Sequence, residues 1–222
     1  MGLRRFWFSL IRLGFRLLYH ELAWTYDGVA WLVSRGQWWA WGERALPRLR
    51  GERVLELAHG TGHLLVTMHR AGLRPVGVDL SPQMGRLARR RLRRAGCTVP
   101  LVRARAQALP FPSASFDSVV ATFPTDFIVD PRTLGEVARL LRPQGRLVVV
   151  LGARFTGRGP LARLLEGLYR ITGQREPLAQ DLEERFRQAG LAVWMETEVV
   201  GESAVLLLVA RRTARFDVAI SG

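Results

Sequence analysis

The chain has 222 residues, a formal net charge of +14 and a hydrophobic fraction of 48%. That length and apolar content exclude a disordered polypeptide and favour a single α/β domain with a sizeable core. The excess charge makes a polyanionic neighbour an expectation, whether membrane, nucleic acid or acidic substrate, without choosing among them. The 33 Lys and Arg positions are all arginine, and asparagine is absent too. GC-rich coding in a thermophile accounts for that bias, and it removes several chemistries considered below. Cys97 stands alone and has no intramolecular disulfide partner, which fits a reducing compartment. No apolar run approaches the ~18 residues of a membrane span. Arg4-Arg5 before apolar residues faintly suggests an export signal, but Arg12 and Arg16 interrupt the run and no small-x-small site follows. A cytoplasmic location is expected, with the inner membrane face as a peripheral docking place.

Three regions are expected: aromatic helices over 1–46, a main domain over 47–212, and a loose tail over 213–222. In the first, Arg5, Ser9, Arg12, Arg16 and His20 recur at steps of three and four, forming one narrow polar stripe on a helix over residues 4–20. The rest of its surface is aromatic and aliphatic, as on a helix lying in an anionic membrane interface. A lid packed on its own domain is the equal alternative. Tyr19 to Trp41 follows, rich in tryptophan and broken by Gly28 and Gly36, so two short helices are expected. Core packing is the safer reading for each tryptophan, with a headgroup-level belt as the alternative.

The main domain opens on Val54-Leu55-Glu56-Leu57-Ala58-His59-Gly60-Thr61-Gly62-His63, read as a strand, an acidic residue, a Gly-rich turn and a helix over 64–71. Such a turn gathers unpaired backbone N–H groups and a positive helix end at one point, where small residues admit a ligand against the backbone. A second strand over 75–80 carries Asp79, near the ~20-residue offset from which a carboxylate accepts ribose hydroxyls. This is a nucleoside-binding βαβ pattern. Ser81-Pro82 starts a helix running to Ala95, with six arginines in nine positions that are expected to be mostly solvated. Strands are expected over 99–102 and 116–123, a helix over 131–142, a turn at Pro143-Gln144-Gly145 and an apolar strand over 146–151. A Gly/Arg-rich loop (152–159), helices over 161–171 and 181–189, and strands over 191–199 and 203–211 complete the chain. Strands alternating with helices predict an α/β, Rossmann-like, doubly wound seven-stranded sheet, mostly parallel, with one antiparallel hairpin strand at the edge.

These motifs, in this order, resemble a class I S-adenosylmethionine-dependent methyltransferase of the ubiquinone/menaquinone-biosynthesis or bacterial phospholipid N-methyltransferase type. The likeness covers roughly residues 26–211. It rests on the turn at 54–62, on Val78-Asp79-Leu80-Ser81, on Ala106-Gln107-Ala108-Leu109-Pro110-Phe111 with Ser115-Phe116-Asp117, and on Leu140-Leu141-Arg142-Pro143-Gln144-Gly145-Arg146-Leu147. The resemblance implies S-adenosylmethionine as cofactor. Glu56 and the backbone of Ala58, His59, Gly60 and Gly62 would hold its amino-acid end, and Asp79 the ribose. Leu80 and Met84 would flank the adenine, Ala106 and Gln107 would approach its edge, and Thr122 and Phe123 would line the floor near the sulfonium. Two departures stand out. Ala58 replaces the first glycine, a mild change by size, and Arg105 replaces an acidic residue that accepts from the adenine amino group. A nicotinamide dinucleotide fingerprint fails because Leu65 occupies its third glycine position.

Missing residue types narrow the acceptor. There is no lysine base for ribose methylation and no Asn ligand for a metal-dependent catechol site. The Asn/Asp-Pro-Pro-aromatic turn of nucleobase amine methylation is replaced by Thr122-Phe123-Pro124-Thr125. Nucleic acid is therefore disfavoured, and a small hydrophobic or membrane-borne acceptor is expected, either a phospholipid amine or a quinone precursor. Tyr26, Asp126 and His20 are the candidates to orient or deprotonate it, with packing or capping the competing explanation for each and the stronger one for His20. His59 and His63 lack carboxylate partners, so no metal site is expected. The rival from another class is a degenerate methyltransferase fold used as a membrane-surface scaffold.

Overall fold

The computed structural model describes Ser34, residues 36–155 and residues 179–213. The expected helices over 4–20 and 161–171, and the tail beyond Thr213, lie outside the described residues. Seven strands form one sheet: β1 (Arg53–Leu57), β2 (Arg74–Asp79), β3 (Leu101–Arg103), β4 (Phe116–Thr122), β5 (Leu141–Phe155), β6 (Leu191–Val200) and β7 (Ser203–Arg212). The helices are α1 (Trp38–Glu43), α2 (His63–Arg70), α3 (Pro82–Arg94), α4 (Pro131–Leu140) and α5 (Ala179–Gln188). Strand order is β3-β2-β1-β4-β5-β7-β6. β1 to β5 pair in parallel, while β7 lies antiparallel to both β5 and β6. The β6–β7 hairpin thus closes the sheet as expected, with β6 outermost.

Period-2 alternation divides the core cleanly. Leu55, Leu57, Val119, Ala121, Leu147, Val149 and Leu208 face one way, packing on Leu134 and Val137 of α4 and on Leu182 and Phe186 of α5. Val54, Val120, Val148, Val150, Leu207 and Val209 face the other, against Trp41, α2 and Leu92 of α3. Both sheet faces are covered, which is why the inner strands read as continuous apolar runs. Trp41 (2% exposed) ties α1 into this core, so the described end of the first region packs as part of the domain.

Several expected boundaries move, each for a local reason. β3 begins after Pro100, whose carbonyl accepts from the Gly77 N–H and which has no N–H of its own to give the ladder. α4 stops at Leu140 rather than Arg142, because Pro143 disfavours helix at the residue before it. The turn at 143–145 sits as an irregularity inside β5, with Gln144 at φ 65°. The Gly/Arg-rich loop begins later than residue 152, because Ser203 to Leu206 of β7 extend the pairing through Phe155.

Candidate active site

The carboxyl ends of β1, β2 and β4 meet at the centre of the sheet. β1 runs into a turn where Ala58, Gly60 and Gly62 all take left-handed φ values of 53°, 54° and 80°. Ala58 is a mild change by size, but the turn also holds it at a left-handed φ, which costs an L-residue about 1–2 kcal/mol before glycine's greater unfolded freedom is set against it. Gly62 is constrained in another way, because a Cβ there would stand 2.9 Å from the Ala88 Cβ of α3. The turn is fastened by Asp79. Its Oδ2 accepts the Gly60 N–H at 2.9 Å and its Oδ1 accepts the Ser81 N–H at 2.8 Å. One carboxylate therefore holds the loops after β1 and β2 together and keeps spare lone pairs toward the cleft.

Glu56 lies in register between Gly77 of β2 and Val120 of β4 and is 1% exposed. Its Oε2 meets no hydrogen-bond partner. Burial, and then the neighbouring Asp79 charge, push its carboxyl well above the usual glutamate range. An unpaired buried carboxylate is costly, and a cation placed against it would reverse the shift. Hydrogen-bond donors from the turn and an orphaned acid beneath them suit the amino-acid end of a cofactor. The residues present fit that group.

His59 is also buried; that burial, the largest influence, lowers its pKa and keeps its ring neutral. Its Nδ1 lies 2.9 Å from the Gly60 carbonyl, which can only accept, so the proton resides on Nδ1. His63 stacks on Trp39 with ring centroids 3.4 Å apart. Arg91 of α3 lies over the same Trp39 ring, 5.9 Å from its centroid, while its Nη1 donates to the Thr61 carbonyl at 2.5 Å. Trp39, His63 and Arg91 thus brace the turn from outside. No sequence pattern pointed to that brace, because the residues come from three separate elements. Among the described residues no group of His, Cys, Asp or Glu could hold a metal ion.

Leu80 is 54% exposed beside Asp79, whereas Met84, in the first turn of α3, is fully buried and offers no open surface to flank an adenine. Ser81 caps α3 by accepting the Met84 N–H. Gln107 donates to Asp130, the α4 N-cap, at 3.1 Å. Glu136 accepts the Leu109 N–H at 2.7 Å, and Arg139 bonds the carbonyls of Leu109 and Phe111. The loop containing Ala106 and Gln107 is therefore stapled to α4. Arg105 is exposed, bridged by backbone to Ala108.

At the end of β4, Phe123 takes φ 50° and its N–H donates to Val150 at 2.7 Å. Its ring lies 3.9 Å from the Trp38 ring, centroid to centroid, tilted by 31°. Thr122 faces α1 at Gly42, where an added Cβ would stand 3.6 Å from its methyl carbon. An aromatic wall from α1 therefore stands next to Thr122 and Phe123. For Trp38 the sequence alone suggests core packing or a headgroup-level belt, and neither places it against Phe123. Asp126 is exposed in the short turn 126–129 that follows. Tyr26 and His20 lie outside the described residues.

Comparison with known proteins agrees with this geometry. A family described as "Methyltransferase domain" matches residues 54–145. A demethylmenaquinone methyltransferase of Thermus thermophilus is 40% identical over 139 residues, covering 60% of this chain and 63% of that protein. A ubiquinone/menaquinone biosynthesis C-methyltransferase of Cronobacter sakazakii is 33% identical over 142 residues, covering 60% and 57%. The chain spans between 55% and 63% of the length of the first curated relatives it matches. Two solved structures share the fold. One is a possible histamine N-methyltransferase of Thermotoga maritima, with TM-score 0.57, 22% identity and coverage of 84% and 94%. The other is a geranyl diphosphate C-methyltransferase of Streptomyces coelicolor, with TM-score 0.59, 16% identity and coverage of 78% and 79%.

Proposed function

We propose that this chain, which resembles the class I S-adenosylmethionine-dependent methyltransferases of the ubiquinone/menaquinone type, transfers a methyl group to a small, hydrophobic, membrane-borne acceptor, a quinone precursor. The observation that carries the donor side is the buried, unpartnered Glu56 carboxylate beneath the Gly60–Gly62 turn. When bound, the cofactor supplies an electrophilic methyl group on a positively charged sulfur. The chain's own residues do the positioning. Glu56 receives the ammonium and gives up its proton as it does so. The turn backbone holds the carboxylate end, and Asp79 accepts from the ribose. Leu80, Ala106 and Gln107 border the adenine.

The acceptor lies against Trp38, Thr122 and Phe123, where stacking aligns its reacting atom for in-line displacement. Asp126, exposed just beyond Phe123, takes the acceptor's proton, with Tyr26 and His20 as further candidates from the preceding region. Two features support a quinone precursor over a phospholipid amine: the activities for which the relatives are named, and a wall made of aromatic rings rather than carboxylates. Residues 4–20 would meet the bilayer through their aromatic face; no helix among the described residues is long and apolar enough to cross a membrane.

Radiolabel transfer from S-adenosylmethionine into a total lipid extract, set beside an aqueous metabolite extract, tests the reaction. Label in the prenylated-quinone fraction is expected. Label confined to the aqueous extract contradicts the acceptor, and no cofactor binding by calorimetry would leave the scaffold reading instead. Flotation with anionic liposomes, with and without residues 1–18, tests the helix: equal binding by the shortened chain would reduce it to a lid.

A further inference from the structure

The arginine run of α3 resolves into one face. Met84, Ala88 and Leu92 are the buried residues of this helix, and Arg86, Arg89, Arg90, Arg93 and Arg94 are exposed. At 100° per residue the five arginines fall within roughly 140° of arc, centred opposite the buried stripe. Only Arg91 turns aside, to the Thr61 carbonyl. Six arginines cannot share one face, but five of them do. The helix contains no Asp or Glu, and neither does α2 beside it. Among the described residues none of the five meets a carboxylate, whereas Arg44, Arg48, Arg139, Arg142 and Arg187 all do.

We propose that the outer face of α3 docks on an anionic phospholipid bilayer. Five uncompensated guanidinium groups on one convex helix repel one another unless an anionic surface answers them. Clusters of four to eight basic residues on an amphipathic helix match a sheet of lipid phosphates, which asks for charge and bidentate donors but no register. A nucleic-acid strand is answered less well. Residues 81–96 contain no aromatic side chain on which a base could stack, and only Gln83 is an amide able to read a base edge. The face is also distinct from the cleft: α3 begins at the cleft's rim, just after Asp79, and its arginines point away from the core. The proposal stands on this charge pattern and not on the identity of the reaction.

Binding of the full chain to phosphatidylcholine vesicles, with and without phosphatidylglycerol, tests it. The variant combines Arg86→Gln, Arg90→Gln, Arg93→Gln and Arg94→Gln; Arg89 is kept because its charge acts on His59. The wild-type chain is expected to prefer anionic vesicles, with binding that weakens as salt rises. The glutamine variant should lose roughly a thousandfold in partitioning, with melting temperature and S-adenosylmethionine affinity unchanged. Arginine-to-lysine changes at the same four positions should retain most of the binding, since a bilayer needs the charge. Unchanged partitioning of the glutamine variant would overturn the proposal. So would wild-type binding to duplex DNA, but not to vesicles, that the variant loses.

Discussion

The two halves of the cleft are built from different materials. On the donor side, at the ends of β1 and β2, position is set by backbone and carboxylates: three left-handed residues in five, an aspartate spanning two loops and a buried glutamate with an open oxygen. On the acceptor side, at the end of β4, the surface is Trp38 against Phe123, with the exposed Asp126 beyond them. Hydrogen-bonded charge specifies one ligand geometry closely, whereas an aromatic wall accepts any flat apolar partner of suitable size. The donor half therefore suits one fixed cofactor, and the acceptor half leaves room for substrate differences within a common fold.

If that division is right, substitutions should separate into two kinds. The largest effect is expected for Asp79→Ala, which removes acceptors for the Gly60 and Ser81 N–H groups as well as the proposed ribose contact. Loss of about 3 kcal/mol in cofactor binding, over a hundredfold, is expected by calorimetry, together with a lower melting temperature. Glu56→Gln should weaken cofactor binding by about ten- to a hundredfold, yet stabilise the ligand-free chain as pH rises. The sign follows from the raised folded-state pKa of Glu56. Its contribution is fully present below the ordinary glutamate pKa and is lost as pH climbs through the raised value, a loss the amide does not suffer. Melting curves of both proteins across neutral pH check this.

Trp38→Ala should act on the other half alone. A fall of about tenfold in kcat/KM for the hydrophobic acceptor is expected, with cofactor affinity held within about twofold. A comparable loss in cofactor binding would erase the distinction between the halves. The smallest effect is expected at Ala58, where glycine would relieve the positive φ. Against glycine's greater freedom when unfolded, the net gain is about 0.5 kcal/mol, read as a slightly higher melting temperature.

The donor half was legible in the sequence because its parts are contiguous. Glu56 to Gly62 is one stretch, Asp79 ends the next strand, and Ser81-Pro82 announces α3 to the residue. What escaped were contacts between elements far apart in the chain. The Trp39–His63–Arg91 stack joins α1, α2 and α3, and Trp38 meets Phe123 across 85 positions, so no local periodicity signals either. The sheet was read almost whole from apolar runs alternating with helices, but the length of β5 was not, since residues 152–155 are held by pairing with β7 rather than by their own composition. The strain at Ala58 was equally invisible, because size can be read from a letter and φ cannot.

Proton exchange on cofactor binding is the most direct test of the donor site. S-adenosylmethionine would be titrated calorimetrically near neutral pH in buffers of different ionisation enthalpy, with the wild-type chain and Glu56→Gln. The wild-type chain is expected to release protons on binding, as the ammonium brings the Glu56 carboxyl back to its charged form, and the variant to bind more weakly without this release. Tight binding by both proteins with the same proton exchange would contradict it.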